Sequence, residues 1–233
     1  MSTVFRQELR SLDESSRGDL ISVIIPTRNE PLIWSLVENV HKALSFIDHE
    51  IVIVDKSERP PDLEAARVIS QRSSGLGRAI LEGFEAAKGE WVSVMDGDCS
   101  HRPEDLASIV KMSRHYDFVL GSRYAKGGRN LDAPLRRVVS RVFNLLARLI
   151  LQLDFSDPMS GMIVTRAEVF RKVKPNPIGF KINLELVCRA ARLGFRGAEV
   201  PIVFLPRSSG KSKAGVREAV RTASYILALR LRK

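Results

Sequence analysis

The sequence predicts an α/β protein with a mostly parallel sheet flanked by helices. Three observations carry that expectation. Short apolar runs end on proline, aspartate or glycine, segments with apolar residues at helical spacing separate them, and the two kinds alternate from residue 20 to about residue 123. With 233 residues, 44% of them apolar and 27% charged, the composition is that of an ordinary globular chain with a core large enough to stand without staples. Two cysteines, Cys99 and Cys188, exclude a disulfide framework and point to a reducing compartment.

Taken in order, residues 1–19 are polar and aperiodic, and are expected to be a flexible arm ahead of the domain. Leu20 to Ile25 reads as a buried strand stopped by Pro26. Residues 31–47 place Leu32, Leu36, Val40 and Leu44 on one helical face, and Glu50 to Val54 is a second buried strand ending at Asp55. The stretch KSERPPD at 56–62 is a loop, followed by a short helical patch and a strand through Ile69. Gly75-Leu76-Gly77 opens a helix to about Lys88, and Trp91 to Met95 is the next strand, ending at Asp96. Pro103 starts a helix reaching about Arg114, and Phe118 to Leu120 is a strand leading into Gly121-Ser122-Arg123. Trp34 and Trp91 read as core. In such sheets ligands sit beyond the carboxyl ends of the strands. Those ends here carry Pro26-Thr27-Arg28-Asn29-Glu30, Asp55, Asp96-Gly97-Asp98 and Gly121-Ser122-Arg123.

The charge is divided unevenly. Residues 1–100 hold 11 Lys and Arg against 17 Asp and Glu, net −6, and residues 101–233 hold 26 against 10, net +16. A half that basic faces an anionic partner (nucleic acid, anionic lipid or a phosphorylated substrate) or is a solvated surface. A nucleic-acid-binding protein needs aromatic platforms among its basic residues. The basic half has no Trp and only Tyr116, Tyr124 and Tyr225 as tyrosines, so that class is set behind a phosphorylated partner. Asp96 and Asp98 flank one glycine directly after a buried strand. Two carboxylates held that close call for a cation, and so few oxygens suit Mg²⁺ or Mn²⁺ completed by water and a diphosphate. Strand-end turns also use such pairs as caps. No Walker-type phosphate loop occurs, and the glycines at 75 and 77 lack the third of a dinucleotide fingerprint.

Residues 134–153 repeat Arg137, Arg141, Asn144, Arg148 and Gln152 at spacings of 4, 3, 4 and 4, so these share a helix face. Val138, Val139, Val142, Phe143, Leu146, Leu149, Ile150 and Leu153 cover the other. The pattern suits a helix lying in a membrane interface, or an amphipathic helix packed on the sheet with its arginines in solvent. No stretch of eighteen apolar residues occurs and the start MSTVFRQELR lacks an apolar leader core, so neither a membrane span nor a secretory leader is expected.

Longer segments carry a resemblance. They are SVIIPTRNE (22–30), VIVD (52–55), GLGRAILEGFEAAKGEWVSVMDGDCSHRPEDL (75–106), VLGSRYAKGG (119–128), PLRRVVSRVFN (134–144), DPMSGM (157–162), GFKINLELVCRA (179–190) and EVPIVFLPRSSGKSK (199–213). In this order they resemble family-2 glycosyltransferases of the GT-A fold, most of all the dolichyl-phosphate (polyprenyl-phosphate) mannosyltransferases. The resemblance implies a catalytic domain over 20–213, and the residues after it, 214–233, themselves read as a basic amphipathic helix. It implies inverting transfer of a hexose, mannose foremost, from GDP-mannose to dolichyl or polyprenyl phosphate. It places the nucleotide on Pro26, Thr27, Glu30, Asp55, Asp96, Gly97 and Asp98, and the metal on Asp96, Asp98 and Ser100. Arg123, Arg136, Ser140, Arg207 and Lys213 become contacts to the acceptor phosphate, with Gly210 and Ser212 in the same closing segment. Asp98, Arg123 and Arg207 carry the catalysis. A membrane surface and a small membrane-spanning subunit are the implied partners.

The chain departs from that family after its second strand. VDKSERPPD stands where relatives read VDDxSxDGT, so Lys56 replaces an acid, and the connection to GLG is short. UDP-glucose as donor, a non-lipid acceptor, or a catalytically silent homologue are the readings this leaves open. His101 is a phosphate contact or a packed polar group. Asp157 and Glu185 face the sugar, or are buried acids with basic partners near Lys181 and Arg189.

Overall fold

A computed structural model of the chain describes residues 20–176, 181–206 and 216–231. The chain order is β1 (Ile21–Thr27), α1 (Ile33–Ala43), β2 (His49–Asp55), β3 (Arg67–Ser70), α2 (Leu76–Ala86), β4 (Trp91–Val94), α3 (Pro103–Ser113) and β5 (Phe118–Ser122). There follow β6 (Arg129–Asn130), α4 (Pro134–Leu151), β7 (Ile163–Arg166), α5 (Ala167–Val173), α6 (Ile182–Arg192), β8 (Gly197–Pro201), β9 (Val203–Phe204) and α7 (Val216–Leu231).

Seven strands form one sheet in the order β3-β2-β1-β4-β7-β5-β8, and β6 and β9 make a separate parallel ribbon. In the large sheet only β7 runs against its neighbours. The apolar runs of β1 and β2 are buried throughout because helices cover both faces. Val23 and Ile25 point to α1 and α3, and Ile24 points to α2, as the two-residue period of a strand requires. A second cluster joins Val94, Phe118 and Leu120 to α5, α6 and α7. After β1 the chain builds outward through β2 and β3, then returns to place β4 on the other side of β1. That reversal opens a crevice between the carboxyl ends of β1 and β4.

Three local expectations are corrected. Pro26 does not stop β1, which stays paired with β2 as far as Thr27 and Asp55. Thr27 presents its carbonyl to the Lys56 N–H on the β2 side, so Pro26 faces β4. There the ladder ends, with the Met95 N–H on the Ile24 carbonyl, because Pro26 has no N–H to give. The proline therefore releases β4, not β1. The helical patch after residue 62 is only a turn, Leu63 to Ala66. Trp34 is not core: 54% of it is exposed, and its indole N–H reaches the Asp62 carbonyl.

The arm over 1–19 lies outside the described residues, as do Arg207, Gly210, Ser212 and Lys213. Among the described residues no helix is long and apolar enough to cross a membrane.

Candidate active site

Where Pro26 releases β4, residues Asp96 to Ser100 turn back over the end of β1. Gly97 lies so close to it that a Cβ there would stand 2.7 Å from Thr27 Cγ2 and 3.1 Å from the Pro26 carbonyl. Only glycine lets both carboxylates ride on the strand end. Cys99 takes the left-handed conformation, φ 60°, which closes the turn. The Ser100 amide and hydroxyl then donate to Asp98 Oδ1 at 3.1 and 2.5 Å. The Asp96 N–H donates to His101 Nδ1 at 3.3 Å. His101 is buried and packs edge-on to Phe204. Burial holds its pKa below the ordinary imidazole value against the pull of Asp96 and Asp98. It is therefore a neutral, packed group that orients Asp96, and its Nε2 has no hydrogen-bond partner among the described residues. Gly161 closes the other side, where a Cβ would sit 2.8 Å from Asp96 Oδ2. The donor set of Asp96, Asp98 and Ser100 is all oxygen, which suits a hard divalent ion. Among the described residues no three acidic, histidine or cysteine side chains converge, so water and phosphate oxygens would complete its shell.

Beside this turn a cavity of about 370 Å³ brings together Thr27, Glu30 and Asp55, with Trp34 and Pro60-Pro61 on its walls. Asp55 is buried and accepts from the Thr27 hydroxyl at 2.7 Å and from the amide and hydroxyl of Ser57. The Asn29 amide donates back to the Ser57 hydroxyl, tying the loops after β1 and β2 together. Lys56 is turned away to the Gln71 carbonyl, so the residue that replaces the family's second acid braces the loop after β3. Pro26 and Gly97 shape the site through the backbone and do not line this cavity.

On the other flank the guanidinium of Arg123 meets Asp157 in a two-pronged pair, Nε to Oδ2 at 2.7 Å and Nη2 to Oδ1 at 2.8 Å. The Arg123 amide adds a third bond to Asp157. Burial opposes the charge on Arg123, but Asp157 outweighs it and holds the guanidinium firmly ionised. Glu199 in turn accepts the amides of Ser156 and Asp157, and Ser122 and Ser156 share a hydroxyl bond. The Tyr124 ring lies between Arg123 and Arg141, 5.4 and 5.5 Å from their guanidinium carbons. Arg136 pairs with Asp132 at 3.2 Å, and Ser140 gives its carbonyl to Asn144. Of the two acids left open by the sequence, Asp157 pairs with Arg123, and Glu185 bonds Arg189 and the Tyr225 hydroxyl. Both are buried acids with a basic partner, and Lys181 is neither one's partner in these pairs.

Helix α4 leaves this flank with its apolar side outward. Leu135, Val138, Val139, Val142, Leu145, Leu146 and Leu149 are exposed, Leu135 at 75% and Leu149 at 68%. Asn144, Ala147 and Leu151 are the buried residues. Asn144, grouped with the arginines by spacing, faces inward and bonds the Met159 amide. Of the predicted apolar face, Phe143, Ile150 and Leu153 pack into the second cluster and the rest is open, while Arg137, Arg141 and Arg148 are exposed.

The turn and the arginine flank meet through Leu205, whose N–H donates to the Ser100 carbonyl. Sequence reasoning missed Glu199 and Arg141 as parts of the site. Glu199 stood within a quoted motif, but the groups that donate to it are the backbone N–H groups of Ser156 and Asp157, some forty residues away in sequence, which no spacing reveals.

Comparison with known proteins adds to this geometry. The profile of glycosyl transferase family 2 matches residues 22–174. A dolichol-phosphate mannosyltransferase of Pyrococcus furiosus is 34% identical over 83% of this chain, which spans 58% of that protein's length. A polyprenol monophosphomannose synthase of Mycolicibacterium smegmatis is 34% identical over 85% of this chain and 83% of its own. Among solved structures, glucosyl-3-phosphoglycerate synthase of Mycobacterium tuberculosis with Mn²⁺ and uridine-diphosphate-glucose superposes with a TM-score of 0.68 at 21% identity, over 96% of this chain and 82% of that one. Mannosyl-3-phosphoglycerate synthase from Rubrobacter xylanophilus reaches 0.68 at 17% identity, over 95% and 76%. These superpositions bear on the fold, and they agree with the GT-A expectation.

Proposed function

Because this chain belongs to glycosyl transferase family 2, we propose that it transfers a hexose from a nucleotide sugar to a polyprenyl phosphate, with inversion and with the help of a divalent cation. The observation that carries the reading is one rim. There the Asp96–Asp98 turn, the Thr27–Asp55 cavity and the Arg123–Asp157 pair meet, and an exposed apolar helix leaves from the arginine side. The names of the relatives favour mannose and a polyprenyl acceptor, and GDP-mannose is the proposed donor.

In this mechanism the cavity of Thr27, Glu30 and Asp55 seats the nucleoside. Asp96 and Asp98, oriented by His101 and Ser100, would hold Mg²⁺ or Mn²⁺, as Mn²⁺ is held in a fold neighbour. Bound there, the ion would neutralise charge on the leaving diphosphate. The acceptor needs no general base, since a phosphate monoester with a second pKa of about 6 is already largely a dianion near neutral pH. Arg123, Arg136 and Arg141 gather that dianion at the head of α4 and offset its repulsion from the donor. Asp157 and Glu199 keep Arg123 from swinging out. One in-line displacement at the anomeric carbon gives inversion. Arg207, Gly210, Ser212 and Lys213 are the proposed further contacts to the phosphates.

The apolar stripe of α4 is the proposed membrane contact, where the chain rests on the cytoplasmic leaflet, and α7 is the proposed seat of a small membrane-spanning subunit. A soluble phosphorylated acceptor, as in the names of the fold neighbours, is the rival reading. The apolar stripe disfavours it. The deciding experiment incubates the chain with radiolabelled GDP-mannose or UDP-glucose, polyprenyl phosphate or 3-phosphoglycerate, and Mg²⁺ or Mn²⁺, followed by organic extraction. Label in the organic phase from GDP-mannose and the lipid supports the proposal. Label only in the aqueous product, or none, overturns it.

A further inference from the structure

A second cavity, of about 460 Å³, lies between α5, α6 and the end of α7, apart from the rim. Strand β7 runs from the rim to the opposite edge of the sheet, where Ala167 starts α5 on the Glu90 carbonyl. Among the described residues the cavity walls carry Lys172, Lys174, Arg189 and Arg192 and one acid, Glu185, with Leu229 of α7 beside them. Glu185, Arg189 and Arg192 stand at spacings of 4 and 3, so one face of α6 forms a wall.

Glu185 does not neutralise this excess. Its carboxylate is engaged by Arg189, by the Tyr225 hydroxyl and by the Asn176 amide. Arg189 also donates to the Lys174 carbonyl and Arg192 to the Leu229 carbonyl, so both guanidinium groups are held in place at the ends of α5 and α7. Lys172 pairs with Glu168 one turn back on the same helix, an exposed pair of little weight. Lys174 is exposed at the mouth. Among the described residues, four cations and one acid line this walled space, a balance that suits an anion.

We propose that this cavity binds a phosphate-bearing ligand, and that at a membrane the ligand is the headgroup of an anionic phospholipid. The surroundings favour the lipid source. Leu193 at the cavity and Leu227 and Leu231 of α7 are exposed, giving acyl chains apolar surface next to the cations. Arg230 reaches Gln152 at the end of α4, so the end of α7 that borders the cavity also touches the helix whose apolar side faces outward. The site is independent of the transfer reading, and its failure would leave that reading intact.

The test is flotation of the full chain with phosphatidylcholine vesicles, with and without phosphatidylglycerol. Lys172→Gln/Lys174→Gln is compared with wild type and with Lys42→Gln/Lys88→Gln, which removes the same charge away from the cavity. The affinity gained from phosphatidylglycerol is expected to fall about thirtyfold in the cavity variant, as for two lysines lost from an anionic surface, and to persist in the control. Binding to neutral vesicles stays unchanged in both. A second arm follows the thermal midpoint against inorganic phosphate. A phosphate-induced rise present in wild type and absent in the cavity variant, with no gain from phosphatidylglycerol, assigns the same site to a soluble phosphate. The proposal is overturned if the phosphatidylglycerol gain survives in the cavity variant, if the control loses it equally, or if wild type responds to neither ligand.

Discussion

Replacing Asp157 by asparagine would leave the Arg123 guanidinium where it is and remove the charge it is folded around. The Asp157 side chain has no exposure and that of Arg123 only 13%, so water cannot take the carboxylate's place. Three Arg123 donors reach Asp157, at 2.7, 2.8 and 3.0 Å. An asparagine offers one oxygen to them and turns an N–H₂ toward a cation. Breaking a buried pair from one side costs about 3–5 kcal/mol. For a chain of this length each 1 kcal/mol moves the melting midpoint by about 2–4 °C, so a fall of roughly 6–20 °C follows. Urea unfolding of wild type, Asp157→Asn, Arg123→Met and the Arg123→Met/Asp157→Leu double variant measures it. The double variant is expected to recover most of the loss, because no buried charge remains uncompensated. A cost below about 1 kcal/mol for Asp157→Asn, or single-variant losses that simply add in the double variant, would refute the reasoning.

Four further outcomes are expected. Asp98→Asn abolishes sugar transfer and Mn²⁺ binding with little change in unfolding midpoint, and chelation of the metal from wild type does the same to activity. Gly161→Ala puts a Cβ 2.8 Å from Asp96 Oδ2 and 2.7 Å from His101 Cε1, displacing the carboxylate; metal affinity read by Mn²⁺ titration falls about tenfold, as when a group that supports a metal ligand is disturbed. Leu135→Gln/Leu149→Gln leaves stability within about 0.5 kcal/mol, as exposed substitutions do, yet lowers partition onto neutral vesicles at least about tenfold. Glu82 tests pH dependence. Partial burial raises its pKa, but the Ser73 hydroxyl and the amides of Arg72 and Ser73 outweigh that and leave it lowered. Its contribution is therefore full above the ordinary glutamate range and disappears as pH falls through the lowered value. Urea titrations of wild type and Glu82→Gln should differ at pH 7 and converge at acid pH.

Most of the strand-and-helix order was legible up to Arg123, because buried parallel strands are short apolar runs and segments of helical period separate them. The elements after it were read mainly through motifs. Strand β7 runs against its neighbours and is followed at once by α5, with no punctuation between them. Trp34 was misplaced because an indole on an apolar helix face looks the same whether the loop opposite covers it or forms a cavity with it. The helix 134–153 was legible as amphipathic, but its outward side was not. A hydrophobic period gives the width of a stripe and says nothing of which neighbour meets it.

The residues alone determined that acidic and hydroxyl groups would collect at one strand-end rim, since the alternation of strands and helices up to Arg123 sends those β-to-α turns to the same edge. They also determined that Asp96 and Asp98 would be held together, because one glycine separates them. Tertiary structure decided what those groups do there. Asp157 accepts Arg123 from thirty-four residues away, Glu199 accepts the backbone beside Asp157, and His101 is buried beneath Asp96. Each is a contact between segments distant in the chain, fixed by the order in which the strands assemble, and a one-dimensional pattern carries no record of that order.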